Sequence, residues 1–142
     1  MKNLCYETLK DIGYKGCILK DAPERIFQFG EGNFLRAFVE CWIDKMNETA
    51  GFNSKVVICQ PIAKGLSDII NEQEGLYTLI LRGNENGRKV DERRVISCVS
   101  KCLNPYEDYE AVLSYAESED MRYVVCNTTE AGIQYDPSCS FD

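Results

Sequence analysis

The sequence predicts an α/β fold with a doubly wound, mainly parallel sheet that carries an inserted β-hairpin. Two observations predict the parallel part: apolar runs of strand length alternate with stretches of helical spacing, and the first run ends in a glycine turn that leads into a helix. Two extended segments around an Asn-Gly signal predict the hairpin. A chain of 142 residues has room for one domain, which we expect to occupy residues 1–142.

The first elements form a strand, helix and strand unit. Residues 25–30 are a short apolar run that ends in glycine, and residues 33–46 follow with apolar side chains at helical spacing. Residues 54–59 are a β-branched run closed by Gln60 and Pro61, which predicts a strand buried on both faces. This order and length match a βαβ crossover, so we expect parallel pairing with a right-handed connection.

The middle of the chain changes character after a short predicted helix at residues 66–74. Residues 77–82 and 94–99 are extended segments on either side of a polar turn at residues 83–87. We therefore expect an antiparallel hairpin inserted into the α/β fold.

The last elements are a helix and a strand. Asn104 and Pro105 predict the start of the helix, with asparagine as the N-cap and proline at the first helical position. Residues 122–127 return to an apolar, β-branched run that predicts a strand, whereas residues 128–142 show no clear element.

Charge and histidine content exclude several classes of function. Sixteen Lys and Arg against 23 Asp and Glu give a net charge of −7, so the average field repels phosphate backbones and anionic lipid. We therefore expect neither nucleic acid nor membrane as a partner. The chain has no histidine, so it cannot complete histidine-based proton transfer or a histidine-containing metal site, and we expect no metal.

Cysteine usage indicates a reducing compartment. Eight cysteines could form four disulfides, but the charged start of the chain has no apolar core of an export signal, and no C-x-x-C pair occurs. No stretch reaches the about 20 apolar residues of a membrane span. The sequence therefore predicts a cytoplasmic protein with thiol-state cysteines.

The glycine turn is the strongest candidate for a binding site. Gly30 and Gly32 match the first two glycines of the pattern G-x-G-x-x-G, while Leu35 occupies the third position. We expect Gly30 to turn the chain off its strand and Gly32 to clear space for a pyrophosphate beside the free N–H groups of the helix start. Arg36 adds a positive charge that could reach a phosphate. The alternative is a plain tight turn beside a solvated arginine.

The end of the second strand bears on the choice of cofactor. Dinucleotide sites usually place an acid there to bind the adenosine ribose, and Gln60 stands in that place. An amide can bind ribose hydroxyls without repelling a 2′-phosphate, so we expect NAD and leave NADP open. The alternative is an ordinary polar residue at a strand end. Glu31 would repel phosphate from inside the turn, so we expect it to point to solvent.

Asn127, Thr128 and Thr129 follow the last predicted strand. In a doubly wound sheet this position faces the crevice where ligands bind, so the amide and hydroxyls are candidates for holding the ribose on the nicotinamide side. Asn and Thr are also typical of a turn that ends a strand, and that alternative stays open.

Residues 29–38, Phe-Gly-Glu-Gly-Asn-Phe-Leu-Arg-Ala-Phe, resemble the G-x-G-x-F-x-R-A-F signature of the polyol-specific long-chain dehydrogenase/reductase family. The family includes mannitol dehydrogenases, fructuronate reductases and tagaturonate reductases. The segments Val-Val-Ile-Cys-Gln-Pro, Tyr-Thr-Leu-Ile-Leu-Arg-Gly and Cys-Asn-Thr-Thr-Glu-Ala-Gly-Ile are most similar to the tagaturonate reductase branch. The resemblance implies a Rossmann fold and an NAD-dependent interconversion of D-tagaturonate and D-altronate, with the other two activities as alternatives.

The same resemblance implies a role for each residue of the candidate site. Those implied to serve the pyrophosphate are Gly30, Gly32, Asn33, Phe34 and Arg36. Gln60 would serve the adenosine ribose, Asn127 with Thr128 and Thr129 would lie by the nicotinamide half, and Glu130 would approach the substrate.

Members of the family also carry a helical C-terminal domain with a catalytic lysine and its Asn and His partners. We therefore expect this chain to be the N-terminal cofactor-binding portion of a longer enzyme, inactive by itself, with a sugar-acid substrate bound through the missing domain. The strand at residues 122–127 would then be an exposed edge. That edge, or apolar surface left by the absent domain, predicts self-association.

Two other functions stay open from the sequence. Methyltransferases also place a glycine turn after a first strand, but they favour an acid where Gln60 stands. A non-catalytic domain that senses NAD and alters a partner is the other alternative.

Overall fold

The structure is a computed structural model that describes residues 3–129, 132–133 and 135–140, and it confirms the α/β fold. A four-stranded parallel sheet and a separate antiparallel hairpin are its two sheets. The strands are β1 (Glu24–Phe29), β2 (Lys55–Cys59), β3 (Tyr77–Glu85), β4 (Arg88–Ile96), β5 (Val99–Leu103) and β6 (Tyr123–Cys126). The helices are α1 (Tyr6–Asp11), α2 (Asn33–Ala37), α3 (Val39–Ala50), α4 (Ser67–Glu72) and α5 (Tyr109–Ser114), followed by a 3₁₀ turn at Tyr115–Glu117.

The order of strands in the parallel sheet is β5-β2-β1-β6. In chain order these are the third, second, first and fourth parallel strands, so the direction of winding reverses between β1 and β6. Phe29 pairs with Cys59 on one side and with Cys126 on the other, which aligns the carboxyl ends of three strands. We call this side of the sheet the carboxyl edge. Ligands bind there in doubly wound sheets, at the point of reversal.

The predicted helix at residues 33–46 is two helices, because the backbone departs from helical angles at Phe38, with φ −110° and ψ −69°. The Tyr77 hydroxyl lies 2.6 Å from the Arg36 carbonyl oxygen, which would accept the N–H of Glu40 in a continuous helix. Insertion of a side chain into the helical hydrogen-bond ladder is a known cause of such bends.

The hairpin prediction is right in its Asn-Gly turn, but residues 83–85, predicted as turn, belong to β3, and the second strand is wrong. β3 and β4 pair antiparallel from Tyr77 with Ile96 to Glu85 with Arg88. Asn86 and Gly87 form the turn with φ of 51° and 77°, as the Asn-Gly signal requires. Residues 94–99, predicted as one strand, contain the end of β4 and the start of β5, which joins the parallel sheet beside β2. Residues 88–93 of β4 were not predicted as strand, because most of them are charged.

The predicted helix start at Asn104 and Pro105 is also wrong. Asn104 begins a turn, in which its side-chain oxygen accepts the N–H of Tyr106 at 3.1 Å. α5 begins at Tyr109, and the Asp108 carboxylate caps it by accepting the N–H of Ala111 at 2.9 Å. Asn-Pro pairs are as typical of turns as of helix starts, and the aspartate four residues later is the better-placed cap.

The two faces of the parallel sheet are covered unequally. On the first face, Ile26, Val56 and Ile58 pack with side chains of α3, α4 and the hairpin. On the second face, Phe27 and Val57 pack with Val112 of α5 and with its neighbours Tyr115 and Met121. An open apolar groove of about 570 Å³ remains between this face and α5.

Polar anchors at the amino ends of the strands fasten the hairpin to the sheet. Asp44 of α3 accepts the Ser97 N–H at 2.8 Å and pairs with Arg94 at 2.6 Å. The buried Lys55 ammonium donates to the Ser97 carbonyl at 2.6 Å and to the Leu19 carbonyl at 3.0 Å. These contacts also hold the segment before β1 in place.

None of the helices in the described part of the chain has the length and apolar character needed to cross a bilayer.

Asn71 fastens α4 to the outer strand β5. Its amide donates to the Cys102 carbonyl and accepts the Cys102 N–H, both at 2.8 Å. We expect Asn71→Ala to lower the free energy of unfolding by about 1–2 kcal/mol, because two hydrogen bonds to a strand edge are lost. Urea denaturation measures this change. Asn84→Ala, on the exposed hairpin, is the matched control, and an equal loss in both variants would contradict the assignment.

Candidate functional site

Three loops meet at the carboxyl edge. The N–H of Gly30 donates to the Cys59 carbonyl at 2.8 Å, and the N–H of Gln60 donates to the Leu103 carbonyl at 2.9 Å. Because Phe29 pairs with Cys126, Asn127 begins beside Gly30 on the opposite flank. The glycine turn, the loop after β2 and the loop after β6 are therefore neighbours, as the sequence predicted.

The glycine turn leaves open space in front of α2. Gly30 has a φ of 100°, which side-chain-bearing residues rarely adopt. Gly32 is the N-cap of α2 with a φ of −65°, and a Cβ added there would meet no atom within 4 Å. The first N–H groups of a helix have no partner within it, so Asn33 and Phe34 carry donors for a ligand. An anion fits this space, although α2 is five residues long and adds less dipole than the predicted helix would.

Side chains around the turn hold Arg36 in place. The Arg36 guanidinium donates to the Asn33 side-chain oxygen at 2.7 Å and lies 5.5 Å from the centre of the Tyr77 ring. Its Nε is buried and has no hydrogen-bond partner within the described part of the chain. Leu35, at the third position of the glycine pattern, is buried, while Phe34 is exposed and stacks on Phe38.

Gln60 is committed to the loop that follows β2. Its side chain is 1% exposed, its amide nitrogen donates to the Ile62 carbonyl at 2.8 Å, and its oxygen accepts the Ser67 N–H at 3.0 Å. A weaker contact joins the same nitrogen to the Ala63 carbonyl at 3.4 Å. The amide protons of Gln60 are therefore engaged within its own loop, and only its oxygen is left to accept a hydrogen bond from a ribose hydroxyl.

The expectation that Glu31 points to solvent is wrong. Glu31 is 8% exposed, and its side chain crosses from the glycine turn to the loop after β2. A Cβ at Gly65 would lie 2.5 Å from the Glu31 Oε1 and 2.6 Å from the Gln60 Oε1. The absence of a side chain at position 65 is what gives the two oxygens room.

Sequence reasoning missed a buried polar cluster behind the glycine turn. The Gln28 amide donates to the Gly30 carbonyl at 2.9 Å and to Glu40 at 2.8 Å. The other Glu40 oxygen lies 2.6 Å from the Tyr77 hydroxyl. Burial is the main cause that raises the pKa of Glu40 to about 7. A glutamine in the middle of an apolar strand and a glutamate on the apolar side of a helix were the available signals.

Asn127, Thr128 and Thr129 are exposed at the end of β6. The Thr129 carbonyl accepts the N–H of Gly132 at 2.9 Å. The three residues follow the carboxyl end of β6, which pairs with β1. Glu130, predicted to approach the substrate, lies outside the described residues.

The apolar groove on the second face reaches the carboxyl edge, which the sequence did not reveal. Gln60, Pro61 and Tyr106 line that end of it. The Tyr106 hydroxyl donates to the Pro61 carbonyl at 3.3 Å and so links the loops after β2 and β5. An aromatic or planar group fits between such walls.

This strand order, with a glycine turn at the point where the winding reverses, defines a Rossmann-type nucleotide-binding domain. Residues 24–140 match the family model described as the mannitol dehydrogenase Rossmann domain. The chain therefore belongs to the mannitol dehydrogenase family, which confirms the resemblance carried by residues 29–38. The family model is named for mannitol dehydrogenase, and the relatives described next are named oxidoreductases.

Relatives in the family include several bacterial altronate oxidoreductases. The chain is 51% identical over 120 residues to that of Phocaeicola vulgatus and 49% identical over 120 residues to that of Bacteroides thetaiotaomicron. It is 48% identical over 121 residues to that of Klebsiella pneumoniae. Each match covers 84% of this chain and 25% of the relative, so the chain spans about a quarter of their length.

Two solved structures share the fold. One is the ternary complex of Pseudomonas fluorescens mannitol 2-dehydrogenase with NAD and D-mannitol, at 22% identity and a TM-score of 0.71, covering 89% of this chain and 26% of that one. The other is a D-sorbitol dehydrogenase in substrate-free form, at 23% identity and a TM-score of 0.73, covering 95% of this chain and 29% of that one.

Proposed function

We propose that this chain is the NAD-binding portion of a longer oxidoreductase that interconverts D-tagaturonate and D-altronate. The open space at Gly32, beside the unpaired N–H groups of α2, is the observation that carries the nucleotide part. The substrate part rests on relatives named altronate oxidoreductase that are about half identical to this chain. The sugar acid would bind through a further domain, without which the chain is inactive.

The described residues divide the work of binding. The pyrophosphate would lie at Gly30 and Gly32, with the N–H groups of Asn33 and Phe34 as donors and Arg36 as a nearby positive charge. Helix-start N–H groups and a fixed guanidinium bind phosphate oxygens without a large loss of side-chain entropy. Arg36 is already held by Asn33 and Tyr77, which favours this role.

The two nucleoside halves would occupy opposite flanks of the turn. The adenine would enter the end of the apolar groove between Pro61 and Tyr106. The ribose on the nicotinamide side would bind Asn127, Thr128 and Thr129 after β6. Bound NAD supplies the acceptor for the hydride, and the chain's own residues bind and orient it.

Calorimetric titration of the chain with NADH and with S-adenosylmethionine tests this proposal. We expect saturable heat with NADH and none with S-adenosylmethionine, because the glycine turn offers donors for a pyrophosphate, which S-adenosylmethionine lacks. Heat from S-adenosylmethionine alone would assign the chain to the methyltransferases, and heat from neither would overturn the cofactor assignment.

We also propose that the chain self-associates through β6. Within the part of the chain that the structure describes, this strand pairs with β1 alone, and Tyr123 and Val124 are 53% and 66% exposed, so it presents an apolar, unpaired edge. Sedimentation velocity is expected to show an average mass that rises with concentration. Val124→Lys should reduce this rise, while Ile80→Lys on the exposed side of the hairpin should not. A monomer at high concentration would contradict the proposal.

A further inference from the structure

Glu31 carries a carboxylate that has no partner among the described residues and whose oxygens are not fully enclosed. The residue as a whole is 8% exposed, so its oxygens are accessible only from the gap that they face. Among the described residues, no hydrogen bond or ion pair of this carboxylate is found. A carboxylate that is mostly covered by protein and accepts no protein hydrogen bond favours a ligand that brings hydroxyl or N–H donors.

The Glu31 carboxylate lies where a Rossmann site holds the adenosine ribose. It spans the gap between the glycine turn and the loop after β2, next to Gly65 and the Gln60 oxygen. The ribose of a dinucleotide occupies this gap, between the pyrophosphate and the end of the second strand. The residue that usually supplies the acid is here Gln60, whose amide holds its own loop.

We propose that Glu31 selects NAD over NADP by accepting hydrogen bonds from the adenosine ribose hydroxyls. A carboxylate has two oxygens and can accept from two neighbouring hydroxyls at once. A 2′-phosphate at the same place would bring a second negative charge against a buried one, with no donor to offer. The acid thus comes from within the glycine turn instead of from the end of β2. This inference rests on the proposed NAD-binding function.

Gly65 takes part in the same arrangement. A methyl group there would collide with the Glu31 Oε1 at 2.5 Å and with the Gln60 Oε1 at 2.6 Å, so it would displace the Glu31 carboxylate from the gap and also press on Gln60. Gly65 is exposed and its φ does not lie in the left-handed region, so the backbone tolerates alanine. Gly65→Ala therefore moves the carboxylate without changing the charge of the chain.

Titration of NADH and NADPH into the wild type, Glu31→Gln and Gly65→Ala tests the inference. We expect the wild type to bind NADH more tightly, and both variants to reduce the ratio of the two affinities by about 10- to 100-fold, because charge-assisted hydrogen bonds are lost. In Glu31→Gln the affinity for NADPH should also rise. Thermal unfolding of each variant establishes that it is folded.

Glu92→Gln, which removes an exposed carboxylate from the hairpin, is the control and should leave the ratio unchanged. If both variants bind NADH and NADPH in the wild-type ratio, the inference is overturned and the proposed function stands. If the folded wild type binds neither dinucleotide, the proposed function fails and the inference falls with it.

Discussion

Gly32→Val is expected to weaken NADH binding by about 100-fold or more, since a branched side chain would occupy the space in which two charge-assisted phosphate hydrogen bonds form. The folded chain has room for this side chain, because a Cβ at position 32 meets no atom within 4 Å. Its φ of −65° also suits valine. The loss of stability should therefore be small, limited to the weaker helix-capping preference of valine.

Calorimetric titration gives the NADH affinity, and urea denaturation gives the stability of the same variant. Gly83→Val is the matched control, because its added side chain also meets open space, on the hairpin far along the chain from the turn. Gly30→Val is unsuitable, since a φ of 100° would strain the backbone whatever the ligand did. A folded Gly32→Val chain with wild-type affinity for NADH would refute the assignment of the pyrophosphate to the glycine turn.

The second large effect is a loss of stability as pH rises, caused by Glu40. The Tyr77 hydroxyl has one proton but lies 2.6 Å from two acceptors, the Arg36 carbonyl and the Glu40 carboxyl. Burial raises the pKa of Tyr77 far above its ordinary range, so the hydroxyl stays neutral. Both contacts become hydrogen bonds if Glu40 is protonated and donates to Tyr77. The structure thus favours a neutral Glu40.

The dependence of stability on pH follows because the pKa of Glu40 is about 7 in the folded chain and has the ordinary glutamate value of 4.5 in the unfolded chain. Below pH 4.5, Glu40 is protonated in both the folded and the unfolded chain. As pH rises toward the upper value the unfolded state loses its proton first, so stability falls by about 3 kcal/mol in total. Of the other titratable neighbours, Arg36 lowers the pKa of Glu40, while burial raises the pKa of the Cys98 and Cys102 thiols and keeps them neutral.

Glu40→Gln isolates this contribution. A glutamine amide can donate to the Tyr77 oxygen and accept from Gln28, which reproduces the protonated pattern at every pH. We expect the two proteins to have similar unfolding free energies near pH 5, and the variant to be the more stable above pH 7. Denaturation series across this range measure the difference. Parallel curves for the two proteins would show that Glu40 does not titrate in this range.

Short-range sequence patterns were enough to predict the elements whose conformation is set by neighbouring residues in the chain. β1, β2 and the glycine turn were predicted because apolar runs of strand length and a positive-φ glycine have few alternatives. β5 was missed as a separate strand, since Lys101 in its middle reads as surface. In the sheet that lysine pairs at 3.2 Å with Glu24, whose position beside it depends on the register of strands far apart in the sequence.

The candidate site shows the same division. The sequence located Gly30, Gly32 and Asn127 at one edge because strand order and glycine spacing decide it. It misplaced Glu31 and overlooked Glu40, because burial of a carboxylate depends on which distant residues close over it. Gly65 and Tyr77, which do so here, lie more than thirty positions away along the chain.

The anchors at Asp44, Arg94 and Lys55 gather at the amino ends of the strands, whereas ligand would be held at the opposite side of the sheet. The stability of the fold and the binding of a ligand therefore depend on residues at opposite ends of the parallel sheet. Substitutions among the amino-end contacts can change thermal stability without altering ligand binding. The ligand-binding loops can therefore vary in sequence while the contacts that stabilise the fold stay the same.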